Sequence, residues 1–234
     1  FEIWLQPQYN HYSGALIGAE ALVRWRHPQK GLISPGMFIP VFERNGFIYE
    51  LDKYVWAESC ALLRRWLDAG LSPLPVSVNI SRYDLFRDDL VAVITGLLRR
   101  YDLPIHLLRL EITESAFAKS AEQIIDVVEA LIGHGFTVEI DDFGSGYSSL
   151  NTLKDVPAAI LKLDMRFLES NRNSSRGGNI LESIVRMAKW LGMSVIAEGV
   201  ETIEQAEFLK SIGCYYVQGY LYARPMPAPE YETL

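Results

Sequence analysis

Residues 1–25 read FEIWLQPQYNHYSGALIGAEALVRW. Two runs within this stretch, 1–9 and 16–25, have the branched and aromatic content of strands. Only residues 11–15 separate them, whereas a parallel pair needs a crossover of a dozen residues or more, so the two strands must be antiparallel. Beyond residue 25 the pattern changes. Short strand-like runs at 74–80, 107–112, 137–140, 159–163, 194–197 and 215–217 alternate with amphipathic stretches. Ile124, Val127, Val128 and Leu131 repeat at helical spacing, as do Leu181, Ile184, Val185 and Ala188. Thr202 with Gln205 predicts a capping box, and Gly70, Gly192 and Gly213 stand where helices end. Most of the strand runs are apolar throughout, as strands covered on both faces are. Eight strands alternating with helices predict an α/β protein, either a closed barrel or an open doubly wound sheet. Gly144 and Gly146 follow a strand, but the third glycine of the dinucleotide fingerprint is missing. Asp141 and Asp142 just before them would repel a bare pyrophosphate. The expectation is a TIM-like (β/α)8 barrel whose first strand runs antiparallel to the others.

The length of 234 residues suits one such barrel, and 49% apolar residues supply one large core. No apolar run approaches the ~20 residues of a membrane span, so no membrane contact is expected. Residues 1–234 read as a single domain without repeats; residues 170–178, polar with two glycines, read as a mobile surface loop. Because the chain opens inside a core strand, it is expected to be a segment of a longer protein. Cys60 and Cys214 belong to no paired motif and read as reduced core residues, which favours a cytoplasmic setting. The net charge of −7 argues against a DNA or RNA polymer as partner. A small phosphorylated ligand stays open, because bound cations reverse a local sign.

The ends of the strands carry the chemistry. In order they present Glu20, Asn79, Glu111 with Glu114 beyond it, Asp141-Asp142, Lys162 with Asp164, Glu198 with Glu201, and Gln218. In a barrel of this kind the strand C-termini share one face, where catalysis sits. A lone glutamate at a strand end is usually solvated or salt-bridged, and an Asp-Asp pair can be a turn. Seven strand ends agreeing is another matter. So many carboxylates with a single lysine demand bound cations. All-oxygen ligands without His or Cys point to Mg2+ or Mn2+; Ca2+ is a poorer fit, expected to inhibit. Adjacent aspartates suit two ions about 3.5–4 Å apart. Glu139 shares a strand face with Asp141 rather than with Asp142.

These residues fall into motifs. Gly18-Ala19-Glu20-Ala21-Leu22-Val23-Arg24-Trp25, Val78-Asn79-Ile80-Ser81, Glu111-Ile112-Thr113-Glu114 and Asp141 through Leu150 come first. Leu161-Lys162-Leu163-Asp164, Ala197 through Thr202 and Gln218-Gly219-Tyr220 follow. In this order they resemble the EAL domain family over essentially the whole chain. The resemblance implies a phosphodiesterase that opens cyclic di-GMP to linear 5′-pGpG with two divalent ions. It implies Glu20, Asn79, Glu111 and Asp141 as ligands of one ion. Asp141 would bridge to a second ion held by Asp142 and, directly or through water, by Glu198. Lys162 and Gln218 would position and polarise the attacking water, Gln6 and Arg24 would contact substrate, and Glu114 would anchor the loop after the aspartates. It also implies a regulatory or GGDEF-type domain N-terminal to this segment, and a homodimer. Two other readings stand beside it. Some relatives bind cyclic di-GMP without hydrolysing it, although those typically lose ligands kept here. An enolase-like lyase also uses carboxylate-bound Mg2+ and a lysine at barrel strand ends.

Overall fold

The structure, a computed structural model, describes residues 1–118, 120–144, 150–165 and 175–234. β1 (Glu2–Asn10) and β2 (Leu16–His27) form the antiparallel hairpin expected, with Gln6 opposite Glu20 and Gln8 opposite Gly18. Asn10 Oδ1 accepts the N–H groups of Tyr12 and Ser13, which closes the turn. The end of β2 pairs with β3 (Gly31–Ile33) in a second hairpin. Two helices follow, α1 (Pro35–Asn45), which the sequence did not announce, and α2 (Ile48–Asp68), which ends just before Gly70 as expected. Then come β4 (Val76–Ile80), α3 (Leu90–Arg100), β5 (Leu108–Thr113), α4 (Ala121–Gly133), β6 (Thr137–Phe143) and α5 (Leu150–Asp155). The chain continues through β7 (Ile160–Asp164), α6 (Ser175–Trp190), β8 (Ser194–Glu198), α7 (Ile203–Ser211), β9 (Tyr216–Val217), β10 (Met226–Pro227) and α8 (Ala228–Tyr231).

Strands β2, β4, β5, β6, β7, β8 and β9 are parallel in that order, and β1 closes the ring antiparallel to both β2 and β9. The result is the expected eight-stranded barrel with its first strand reversed. β10 adds to β1 outside the ring. The capping box of α7 is formed: Thr202 Oγ1 accepts the Gln205 N–H, and Gln205 Oε1 accepts the Thr202 N–H at 3.0 Å. One expectation is corrected. Residues 175–178, read as loop from their polarity, open α6, whose buried stripe (Leu181, Ile184, Val185, Ala188) supplies the packing that local propensity does not. Residues 170–174 of that reading lie outside the described residues.

Both faces of the parallel strands are covered, but with opposite chemistry. Val76, Val78 and Ile80, Leu108, Leu110 and Ile112, Val138 and Ile140, and Leu161 and Leu163 pack in the helix-covered core. The alternate positions, Ser77 and Asn79, Arg109 and Glu111, Glu139 and Asp141, and Lys162, point into the barrel. Cys60 and Cys214 are buried and unpaired. Among the described residues no helix is long and apolar enough to cross a membrane.

Candidate active site

Lys162 on β7 stands at the centre of the barrel mouth and is fully buried. Its Nζ lies 2.7 Å from Glu198 Oε1, 2.8 Å from Glu111 Oε1, 3.1 Å from Glu20 Oε2 and 3.4 Å from Asp141 Oδ1. Asn79 Nδ2 donates to Glu20 Oε1 at 3.2 Å, and Gln218 Nε2 donates to Glu20 Oε2 at 2.7 Å. The frame holds these groups from behind. The indole of Trp56 on α2 donates to the Asn79 carbonyl at 3.0 Å and fixes the end of β4. After Gln218, Gly219 lets the chain pass against Val200: a Cβ there would stand 2.2 Å from the Val200 carbonyl oxygen.

Asp141 and Asp142 raise a question of parity, because neighbours on a strand point to opposite faces. The structure answers it with a bulge. Ile140 pairs with Leu161 and Phe143 with Leu163, so three steps along β6 match two along β7. Asp142 takes the extra step in the left-handed region, φ 55°, rare for a non-glycine residue. Its N–H donates to Asp141 Oδ1 at 2.8 Å. As a result Asp141, Asp142 and Glu198 offer oxygens that lie within 4.8 Å of one another. Local strain at such a step persists only where the surroundings enforce it. One enforcing contact is Glu114, buried beyond the end of β5, whose Oε2 accepts the Gly144 N–H at 2.7 Å. Residues 145–149 of the expected loop lie outside the described residues.

The electrostatics of the cluster are unbalanced. Burial pushes the Glu111 carboxyl well above its ordinary range, and the charge of Glu20 adds to this. Burial does the same to Glu198 against the pull of Lys162. Burial also opposes ionisation of Asp141, but Lys162 and hydrogen bonds from its neighbours outweigh it and hold that carboxyl below its usual value. Burial alone would discharge Lys162; Glu111, Glu198, Glu20 and Asp141 outweigh it and hold the ammonium well above its usual range. Apart from the Lys162 ammonium 2.8 Å from its Oε1, the buried carboxylate of Glu111 has no hydrogen-bond donor among the described residues. Among the described residues this is an oxygen-rich cage with one cation and with Glu111 Oε2 left without a donor, which fits hard divalent ions of the Mg2+ type.

Two cavities flank Glu20. One, of about 500 Å3, is lined by Gln6, Asp141, Asp142, Asp164, Glu198 and Gln218 among others. The other, of about 560 Å3, lies on the α1–α2 side and includes Arg24, Asp52, Asn79, Arg82 and Tyr83. The sequence-predicted residues Glu20, Asn79, Glu111, Asp141, Asp142, Lys162, Glu198 and Gln218 are thus brought together. Gln6 and Arg24 sit on opposite sides of them. Sequence reasoning missed Asp52, Arg82 and Tyr83, which no motif marked, and Gln8, whose inward position follows from its period-2 relation to Gln6. Glu139, on the strand face of Asp141, points into the interior: it is fully buried, accepts from Ser77 Oγ at 3.1 Å and pairs with Arg109 at 3.4 Å.

Comparison with known proteins agrees with this geometry. The model of the EAL domain matches residues 1–225. The bifunctional diguanylate cyclase/cyclic di-GMP phosphodiesterase MucR of Pseudomonas aeruginosa is 42% identical over 226 residues, 96% of this chain and 33% of that protein. The cyclic di-GMP phosphodiesterase NbdA of the same organism is 41% identical over 231 residues, 99% of this chain and 30% of that protein. The chain therefore spans about a third of these relatives. A solved structure of the MucR phosphodiesterase in complex with c-di-GMP superposes with a TM-score of 0.92 at 40% identity, covering 98% of this chain and 93% of that one. With its barrel, its ordered motifs and this match along nearly its whole length, the chain belongs to the EAL domain family.

Proposed function

We propose that this domain is a phosphodiesterase that hydrolyses cyclic di-GMP to linear 5′-pGpG with two divalent ions, Mg2+ or Mn2+. The observation that carries the reading is the cage of four acidic side chains around one buried ammonium, with the bulge that turns Asp142 toward the same space. Similarity to phosphodiesterases that keep this architecture supports the substrate. Membership in the EAL family removes the lyase reading.

Glu20, Asn79, Glu111 and Asp141 would hold one ion, and Asp141, Asp142 and Glu198 the second. Bound there, such ions neutralise phosphate charge and lower the pKa of water toward neutrality. The chain's own groups do the rest. Lys162 keeps a fixed positive charge at the floor of the site, where negative charge develops as phosphorus is attacked. Gln218 presents its NH2 to Glu20 and borders the cavity in which the attacking water must sit. Gln6 and Arg24, in the walls of the two cavities, hold the two halves of a dinucleotide whose phosphate lies over Glu20. Glu114 keeps the Asp142 step in place through Gly144. A larger parent protein with a regulatory or GGDEF-type segment, and a cytoplasmic setting for the two free thiols, accord with the size of the relatives and with the unpaired cysteines.

The test is incubation of the chain with cyclic di-GMP and Mg2+, with and without EDTA, and chromatography of the products. Linear 5′-pGpG formed only with the metal is expected. Binding of intact cyclic di-GMP without turnover would establish a receptor instead.

A further inference from the structure

Gln8 has no place in the chemistry above, yet it is wholly buried in the barrel two register steps below Gln6. Its Nε2 donates to Gln218 Oε1 at 3.0 Å. Gln218 in turn donates from Nε2 to Glu20 Oε2 at 2.7 Å and to Gln6 Oε1 at 3.2 Å. The direction of this chain is forced. An ionised carboxylate only accepts, so the amide of Gln218 must turn its NH2 toward Glu20. Turned over, it would place oxygen against oxygen at that 2.7 Å separation. The carbonyl end of Gln218 then faces down the barrel and requires a donor, and Gln8 is the side chain that donates to it. Gln8 Oε1 accepts nothing among the described residues, so its amide is oriented by what it donates.

The opposite strand makes the room. Gly18 lies across from Gln8, and a Cβ at Gly18 would stand 3.1 Å from Gln8 Oε1 and 2.9 Å from the Pro75 carbonyl oxygen. Pro75 O accepts the Ala19 N–H at 3.0 Å, so that oxygen cannot yield without loosening β2 next to Glu20. A side chain at position 18 would therefore displace the Gln8 amide. The glycine two residues before Glu20 thus serves the site at a distance, through the space it leaves.

We propose that Gln8 is a positioning residue that holds the Gln218 amide in the orientation its bond to Glu20 requires, and through it the side of Glu20 that faces the reacting phosphate. The inference rests on the reading that Gln218 serves turnover. Its test uses Gln8→Met, which keeps the stem and cannot donate, in the parent and in a Gln218→Met background. The expected result is a kcat about tenfold lower with KM little changed, the scale of one misdirected hydrogen bond, and no further loss when Gln218→Met is already present. Equal losses in both backgrounds would overturn the proposal. Gln8→Glu adds a signature that packing alone does not produce. The introduced carboxyl donates only when protonated, so activity relative to parent should fall as pH rises; a flat ratio contradicts the proposal. The side-chain amide resonances of Gln218 separate the two claims. If they move in Gln8→Met while Gln218→Met keeps full kcat, the positioning stands and the role of Gln218 in turnover fails. If they stay at parent values, the positioning fails.

Discussion

The barrel holds two buried ionic clusters a few residues apart, and they are built to opposite rules. In the lower one, Glu139 meets Arg109 at 3.4 Å and the Ser77 hydroxyl at 3.1 Å, one charge against one with a neutral donor besides. In the upper one, a single Lys162 serves Glu20, Glu111, Asp141 and Glu198. Both come from alternate inward positions of the same strands, so the fold does not distinguish them. The charge count does. A buried pair that balances itself is a structural element whose worth lies in not being broken. A buried cluster that leaves most of its charge uncompensated is stable in its ionised form only with added cations. Glu111 and Glu198 report this, since burial and neighbouring carboxylates push both carboxyls upward against the pull of Lys162.

The largest expected effect separates the clusters by function. Glu111→Ala should abolish turnover and weaken Mg2+ binding beyond detection by calorimetry, and Glu20→Ala should do the same. Glu139→Gln, one tier below, should leave kcat within about twofold, because it touches no site oxygen. Normal turnover in Glu111→Ala would erase the distinction.

Lys162→Met should lower kcat by about 10²-fold or more, on the scale of lost electrostatic groups. It should also lower the melting temperature of the metal-free chain, since four carboxylates then share no cation among the described residues. Saturating Mg2+ should restore more stability to this variant than to the parent, which thermal melts with and without metal will show. A normal kcat with only a raised KM would make Lys162 a substrate-binding residue.

Arg109→Met strands the fully buried Glu139 and should cost about 3 kcal/mol in denaturant unfolding. Its Mg2+ isotherm should match that of the parent. A shifted isotherm would mean that the two clusters are coupled.

Glu114→Ala removes the acceptor of the Gly144 N–H. The Mg2+ dependence of initial rates should move to higher concentration by about tenfold, the price of one charge-assisted hydrogen bond, with kcat partly recovered at high Mg2+. An unshifted curve would show that the Asp142 step holds without this anchor.

The smallest effect is in pH. The Glu111 and Glu198 carboxyls are pushed above their ordinary value of 4.5 in the folded chain. Stability from these groups is therefore fully present below that value and is lost as pH rises through the raised folded pKa. Without metal, melting temperature should decline across this window; with Mg2+, which binds the ionised form, the decline should vanish or reverse.

The hairpin of residues 1–25 disclosed the reversed strand, because a five-residue connection permits nothing else. The seven strand ends disclosed the site, because strand termini of a barrel converge whatever their sequence separation. Three things were not legible. Asp142 reaches the site through a bulge, and a single extra residue leaves no trace in composition or periodicity. The helical start of α6 was hidden by serines and glycines whose local preference its apolar stripe overrides. The cavity wall with Asp52, Arg82 and Tyr83 joins α2 to the segment after β4, a tertiary contact between stretches that carry no shared pattern. The lower cluster was half legible: parity placed Glu139 on the face of Asp141, but only the packed barrel brings Arg109 within reach.

The most direct test of the charge argument is a crystal of the chain grown with Mn2+ and examined by anomalous scattering. Two peaks per chain are predicted. One should lie among Glu20, Asn79, Glu111 and Asp141, the other among Asp141, Asp142 and Glu198, with Lys162 drawn off at least one of its present carboxylates. Lys162 still bound to all four, with no anomalous peak beside it at saturating Mn2+, would contradict the account.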